Sequence, residues 1–379
     1  MSNQTYTPNT EPSPRKSHAT KLWIPIFILA AVAVYLIFSD NSIESPKEII
    51  IPTPPLEQQT PLETLLYTQL PQLIHNVGED NWTLDDVHFN ENNTQALLWM
   101  AENDPETGET LAREPEIVLA VWDEAAGSWN LHRTSDPEFN DFFMTTDFKD
   151  DEIAERFNFE ADAKPGPTTT VYGGYKLPWA GGLTKRLTWS VGHTSCTPTY
   201  YCTHAFDFAD GTMFDISAAK GGYVYHWRDT CNNGDSGCTN SITLQDRTTN
   251  PWTYQIYLHI AKNSIPASVK IRGAYVWQGM KIAKVDDTGA STGHHVHFMV
   301  VEQTTLNACT NYCFGKAVDI TFRDVDINWD AATQGGRPRL AEEAEWYGGT
   351  GRTYYLSGNT LMADSYEYNY ILFPIFKSE

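Results

Sequence analysis

Positive charge is scarce in this chain. Twenty-six lysines and arginines stand against 48 aspartates and glutamates over 379 residues, a formal net charge of −22. Nucleic-acid binding needs Lys and Arg to neutralise phosphates, so this balance argues against that class. Cysteine is sparse too: six residues are too few for a disulfide scaffold of this length. What is present is apolar and aromatic. Hydrophobic residues make up 41% and aromatic residues 13%, so most of the chain is expected to fold. The length suggests two domains or three.

Leu22 to Phe38, LWIPIFILAAVAVYLIF, is an apolar run of 17 residues without a charge, at the short end of what spans a bilayer. Arg15, Lys16 and Lys21 precede it, and Asp40 and Glu44 follow it. The positive-inside rule places residues 1–21 in the cytoplasm and everything after Phe38 outside. The expectation is a single-pass membrane protein with its folded part at the cell surface or in the periplasm. A cleaved signal peptide is the rival reading, and would give a secreted form. Its leader would be unusually long, and the only Ala-x-Ala, Ala31 and Ala33, lies inside the apolar run. Residues 39–60, with Pro46, Pro52, Pro54 and Pro55, read as an extended stalk.

Two folded regions are predicted beyond the stalk. Residues 61–76 carry leucines at helical spacing and suggest one helix, with Pro71 as the place where it could break. Strand-like runs follow: WTLDDVHF, TQALLWMA, EIVLAVWDE and SWNLHR, divided by turn residues. This predicts a small α+β domain over 61–165, with no cysteine and no evident ligand cluster. Counted by region, it holds 5 basic and 24 acidic residues, whereas residues 166–379 hold 17 and 19. The negative charge therefore belongs almost wholly to the middle domain.

Residues 166–379 read as mainly β, with a C-terminal extension from about 303. Gly-rich turns separate short β-branched runs such as GGYVYHW, SITLQD, WTYQIYLHI and HHVHFMVVE. All six cysteines fall here in close pairs, Cys196/Cys202, Cys231/Cys238 and Cys309/Cys313. Outside the cytoplasm, local disulfides are the expected reading. The densest chemistry is Gly293-His294-His295-Val296-His297-Phe298. Side chains two apart on a strand share a face, so His295 and His297 point one way and His294 the other. In HAFDFAD, the same parity separates His204 from Asp207 and makes them poor co-ligands. Asp207 therefore needs a histidine from elsewhere, and His193 is able to return through the loop between Cys196 and Cys202. Tyr257-Leu258-His259 is a strand ending in a histidine. His75, His88, His132 and His226 are read as ordinary structural histidines.

The order His193 … Asp207 … His259 … His295-Val296-His297, with its flanking strands, resembles the M23 zinc metallopeptidases of the lysostaphin and staphylolysin type. The resemblance covers roughly residues 187–302. It implies an antiparallel sheet with a groove, and Zn²⁺ held by His193, Asp207 and His297. Two imidazoles and one carboxylate make the three protein ligands of a catalytic rather than a structural zinc. It implies His259 and His295 as the catalytic pair beside the water, with the division of labour between them left open. The family's substrate class, small-residue peptide bonds chiefly of peptidoglycan cross-links, is the expected one. Two departures stand out. His193 and Asp207 are fourteen residues apart, where many members have His-x-x-x-Asp, so His204 stays open as the first ligand. His294 replaces the proline of Gly-Pro-His. The alternative function is a non-catalytic wall-binding or hydrolase-regulating module using the same groove.

Overall fold

The computed structural model describes residues 59–77, 82–104, 107–157, 170–189, 193, 195–196, 202–325 and 354–361. The expected anchor at 22–38 lies outside them, and among the described residues no helix is long and apolar enough to cross a membrane. All described residues belong to one compact unit, Ile49–Glu379.

The acidic region opens with helix α1, Pro61–Asn76. Thr60 caps it: its side chain accepts from the Glu63 N–H while the Glu63 carboxylate accepts from the Thr60 N–H. Pro61 occupies the first turn, where its missing N–H costs nothing. The one helix expected over 61–76 is present, and it runs unbroken through Pro71. Packing outweighs the local penalty, because Leu66, Tyr67, Leu70 and Ile74 form one buried stripe that spans the proline. Four antiparallel strands follow in sequence order: β1 Trp82–Phe89, β2 Gln95–Glu102, β3 Glu116–Asp123 and β4 Ser128–Arg133. The runs in β2 and β3 are apolar on both parities because both faces are covered. Leu98, Met100, Val118 and Ala120 pack with the α1 stripe. Leu97, Trp99, Ile117 and Leu119 pack against Phe139 and Phe143 of the short helix α2, Phe139–Phe143, and against Phe148 and Phe157.

The remaining strands are β5 Tyr172–Tyr175, β6 Thr184–Trp189, β7 Phe206–Ala209, β8 Asp215–Ser217, β9 Gly222–Arg228, β10 Ser241–Asp246, β11 Thr253–Leu258, β12 Tyr275–Val276, β13 Lys281–Lys284, β14 His295–Glu302, β15 Ile320–Phe322 and β16 Tyr354–Leu356. Eight of them build one antiparallel sheet in the order β12-β9-β10-β11-β14-β7-β6-β16. β8 and β13 form an antiparallel pair, and β5 and β15 a parallel one. The architecture is mainly β with few helices. Its two cores follow strand parity. Val296, Phe298 and Val300 of β14 point into the larger core with Phe206, Phe208 and Tyr257. Met299 and Val301 point the other way, into a cluster that holds the Cys196–Cys202 and Cys309–Cys313 disulfides. Cys231–Cys238 is the third disulfide, so all three close pairs are joined. The chain after Glu302 contributes β15 and the edge strand β16, which pairs with β6.

The acidic region docks on the large sheet's unit. Ala290 joins the phenylalanine cluster behind β2 and β3. Arg228 pairs with Glu152 at 2.6 Å, Arg186 with Asp104 at 2.8 Å, and Asn307 donates to Glu155 at 2.9 Å.

Candidate functional site

β7 and β14 are adjacent, and their register sets Asp207 opposite His297. β11 lies on the other side of β14, with Leu258 opposite His297, so His259 emerges just past the strand end. There it takes φ 61°, a left-handed turn that releases its side chain from strand parity. His193 lies after β6, its ring stacked on Trp189 at 4.2 Å between centroids, and Trp189 is itself opposite Asp207. His193, Asp207, His259, His295 and His297 are all buried.

The five residues converge. His193 Nε2 is 3.1 Å from Asp207 Oδ2, and His297 Nδ1 is 3.0 Å from Asp207 Oδ1. His295 Nε2 is 3.7 Å from Asp207 Oδ2, and the His259 and His295 rings are 4.4 Å apart. His204 is elsewhere, half-buried, with Nδ1 3.8 Å from Asp319. His294 points away, its Nδ1 3.8 Å from Asp286 and 3.7 Å from Asp287, as its parity predicts.

Second contacts set the tautomers. His259 Nδ1 is 2.7 Å from the Thr288 carbonyl, and His295 Nδ1 is 2.9 Å from the Gly293 carbonyl. A carbonyl only accepts, so each Nδ1 carries a hydrogen, and each Nε2 faces the cluster. Burial, reinforced by the nearby His259, pushes His295 down to about 3, although Asp207 and Glu114 oppose the shift, so its imidazole is neutral. Burial alone would raise the Asp207 carboxyl. The neighbouring His193, with hydrogen bonds from His193 and His297, outweighs it and holds the group well below the usual carboxylate range.

One residue of the cluster has no counterpart in the sequence reading. Glu114, from the loop between β2 and β3, is fully buried among the histidines. Its Oε1 is 3.3 Å from His297 Nδ1, 3.6 Å from His259 Nε2 and 2.7 Å from the Arg156 guanidinium. Its Oε2 accepts from Ser195 Oγ, and its N–H donates to Asp207 Oδ2 at 3.0 Å. Burial again opposes ionisation. Arg156 first, then His297 and the neighbouring His259, hold the carboxyl well below its ordinary value. Nothing in the sequence marks Glu114 among the 24 acidic residues of 61–165.

The cluster suits a metal ion. Nε2 of His259, His295 and His297 are buried without a hydrogen-bond partner, a state that nitrogen lone pairs tolerate poorly unless something is bound. One donor atom each of Glu114, His193 and His297 lie within 4.8 Å of one another, with Asp207 bonded to both histidines. Mixed imidazole and carboxylate donors fit Zn²⁺.

Imidazoles and buried carboxylates converging on one antiparallel sheet make a candidate metal centre. Residues 203–308 match the model described as Peptidase family M23, and this segment belongs to that family. The match contains Asp207, His259, His295 and His297 and begins after His193. No curated protein matches the chain. Among solved structures, the lysostaphin catalytic domain from Staphylococcus simulans is 22% identical, covering 34% of this chain and 78% of its own, with a TM-score of 0.22. The catalytic domain of a point mutant of the prophage-encoded M23 protein EnpA from Enterococcus faecalis is 23% identical, covering 34% and 87%, with a TM-score of 0.25. A zinc-containing peptidase from Vibrio cholerae is 14% identical over 70% of this chain, with a TM-score of 0.24; the chain spans 65% of its length. All three TM-scores lie below 0.5, so the assignment rests on the family match and the site's residues.

Proposed function

We propose that the chain is a membrane-anchored, extracytoplasmic zinc endopeptidase that cleaves peptide bonds of peptidoglycan cross-links or similar small-residue peptides. The observation that carries this reading is the convergence of Asp207 from β7, His295 and His297 from β14, His259 from the end of β11 and His193 from beyond β6 into one buried cluster. His193, Asp207 and His297 would hold Zn²⁺. Bound there, the ion supplies a Lewis acid that activates water at neutral pH. The rest falls to the chain's own residues. His259 and His295 turn their Nε2 atoms toward the cluster, with their Nδ1 atoms held by the Thr288 and Gly293 carbonyls. One accepts the proton of the attacking water, and the other steadies the oxyanion or returns a proton to the leaving amine. Asp207, bonded to both flanking histidines, fixes their ring planes. The uncharged run 22–38 would tether the enzyme beside the wall, and the near-neutral 166–379 region is not repelled by anionic polymers.

The test uses the full-length protein in detergent, assayed for bound zinc and for amines released from purified peptidoglycan, beside His297→Ala. Zinc and cleavage in the wild type, both lost in His297→Ala, are expected. Wild type that binds no zinc and releases no amine would favour the non-catalytic module instead.

A further inference from the structure

A second group of donor side chains lies beside the first cluster and faces away from it. It consists of Asp286, Asp287 and His294, and one donor atom from each lies within 4.8 Å of the other two. His294 takes the place of the proline in Gly-Pro-His, so the resemblance gives it no role. Asp286 is the telling residue. It is 1% exposed, and neither of its carboxylate oxygens has a hydrogen-bond partner, a costly state for a carboxylate unless a cation is near. Its backbone is held, because its N–H donates to the His259 carbonyl at 2.8 Å and it forms a β-bridge with His295. Among the described residues, neither carboxylate pairs with a lysine or arginine. Asp85 of β1 adds its negative charge beside Asp287. His294 Nδ1 lies 3.8 Å from Asp286 Oδ1 and 3.7 Å from Asp287 Oδ1, too far for hydrogen bonds. Two donors bound to one ion at about 2.1 Å sit roughly 3.0–3.6 Å apart, so small side-chain movements bring these donors to that spacing.

We infer that Asp286, Asp287 and His294 form a second divalent-cation site, separate from the buried histidine cluster. Two carboxylates and one imidazole, with water completing the shell on the open side, suit a manganese-type ion. The Asp287 and His294 side chains are each 32% exposed, which gives the ion an entry path. That exposure, with the low place of Mn²⁺ in the affinity order, makes the site exchangeable on dialysis, unlike the buried centre. Filled, it links two loops. Asp287 adjoins Thr288 and His294 adjoins Gly293, and the carbonyls of Thr288 and Gly293 hold the Nδ1 atoms of His259 and His295. The inference stands on these three side chains and not on the chemistry at the buried centre.

The test uses zinc-loaded, dialysed full-length protein in detergent, so that the buried centre is filled beforehand. Mn²⁺ is titrated in with Mg²⁺ in excess to occupy the diffuse acidic surface, and free Mn²⁺ is read from its electron paramagnetic resonance signal. Wild type should take up one Mn²⁺ per chain. Asp287→Asn and His294→Gln should each weaken that uptake by at least about tenfold while retaining their zinc. Both positions are partly exposed, so the variants should keep the fold, which circular dichroism checks; if one fails to fold, the other decides alone. Absent uptake in the wild type overturns the inference, and a protonated His294 then suffices to balance the carboxylates. Uptake that a folded variant leaves unweakened overturns it as well. If the wild type retains no zinc, the zinc reading falls by itself, because Mn²⁺ uptake lost in the two variants still establishes this site.

Discussion

The pair between Arg156 and Glu114 is the most exacting feature of the docked arrangement, and its energetics are open to measurement. Both side chains are fully buried and 2.7 Å apart. Coulomb's law at an effective dielectric near 20 puts their attraction at about 6 kcal/mol, an upper figure because both charges lose hydration. Removing one partner strands the other in the interior, at about 3–5 kcal/mol. Arg156→Met retains much of the bulk and the contact with the Phe314 ring, and leaves the Glu114 carboxylate without its counter-ion. Glu114→Gln strands the guanidinium instead. The double variant strands neither, so it should be more stable than the two single losses predict, by about 3 kcal/mol. Urea unfolding of the metal-free full-length protein, followed by tryptophan fluorescence, measures all four corners of the cycle. If the two single losses add to within about 0.5 kcal/mol, the residues are not coupled and Glu114 is not held where the structure puts it.

Other consequences are simpler to read. His193→Ala should abolish zinc binding and His204→Ala should leave it intact, as measured by metal content after dialysis; the reverse result would move the first ligand to His204. Gly289 has φ +80°, and a Cβ there would run into the Thr239 side chain and lie 3.2 Å from its Cα. Gly289→Ala should therefore cost more than ~1 kcal/mol in chemical denaturation, and should disturb His259 through the neighbouring Thr288 carbonyl. The Cys196–Cys202 disulfide lies just after His193, with Cys202 Sγ 3.5 Å from the His193 carbonyl oxygen, so Cys196→Ser/Cys202→Ser should weaken zinc retention in a chelator titration more than Cys231→Ser/Cys238→Ser does. Thr60→Ala removes the capping box of α1 and should destabilise the acidic domain by about 1 kcal/mol in thermal unfolding.

Much of the scaffold could be read from local pattern. WTLDDVHF and SWNLHR correspond to β1 and β4 residue for residue, because turn-forming residues bound both runs. The parity argument for β14 separates His295 and His297 from His294, because alternation is a property of any extended backbone. It fails at His259, where φ 61° ends the alternation, and the breaker rule fails at Pro71, where tertiary packing carries the helix onward. Local pattern also could not show that the apolar residues on the second face of β2 and β3 serve to dock the acidic domain near Ala290.

The amino-acid order alone determined the mainly β region after residue 166, the close cysteine pairs, the concentration of acid in residues 61–165 and the histidine and aspartate set of the candidate site. These are matters of short-range spacing, which strand geometry converts directly into faces and neighbours. Only the tertiary structure decided that Glu114 joins that set. It meets Asp207 across 93 residues of chain, in a loop without periodicity, and is positioned by Arg156 from a third place in the sequence. Its position depends on how two folded surfaces fit together, and that fit has no signature in the spacing of residues along the chain.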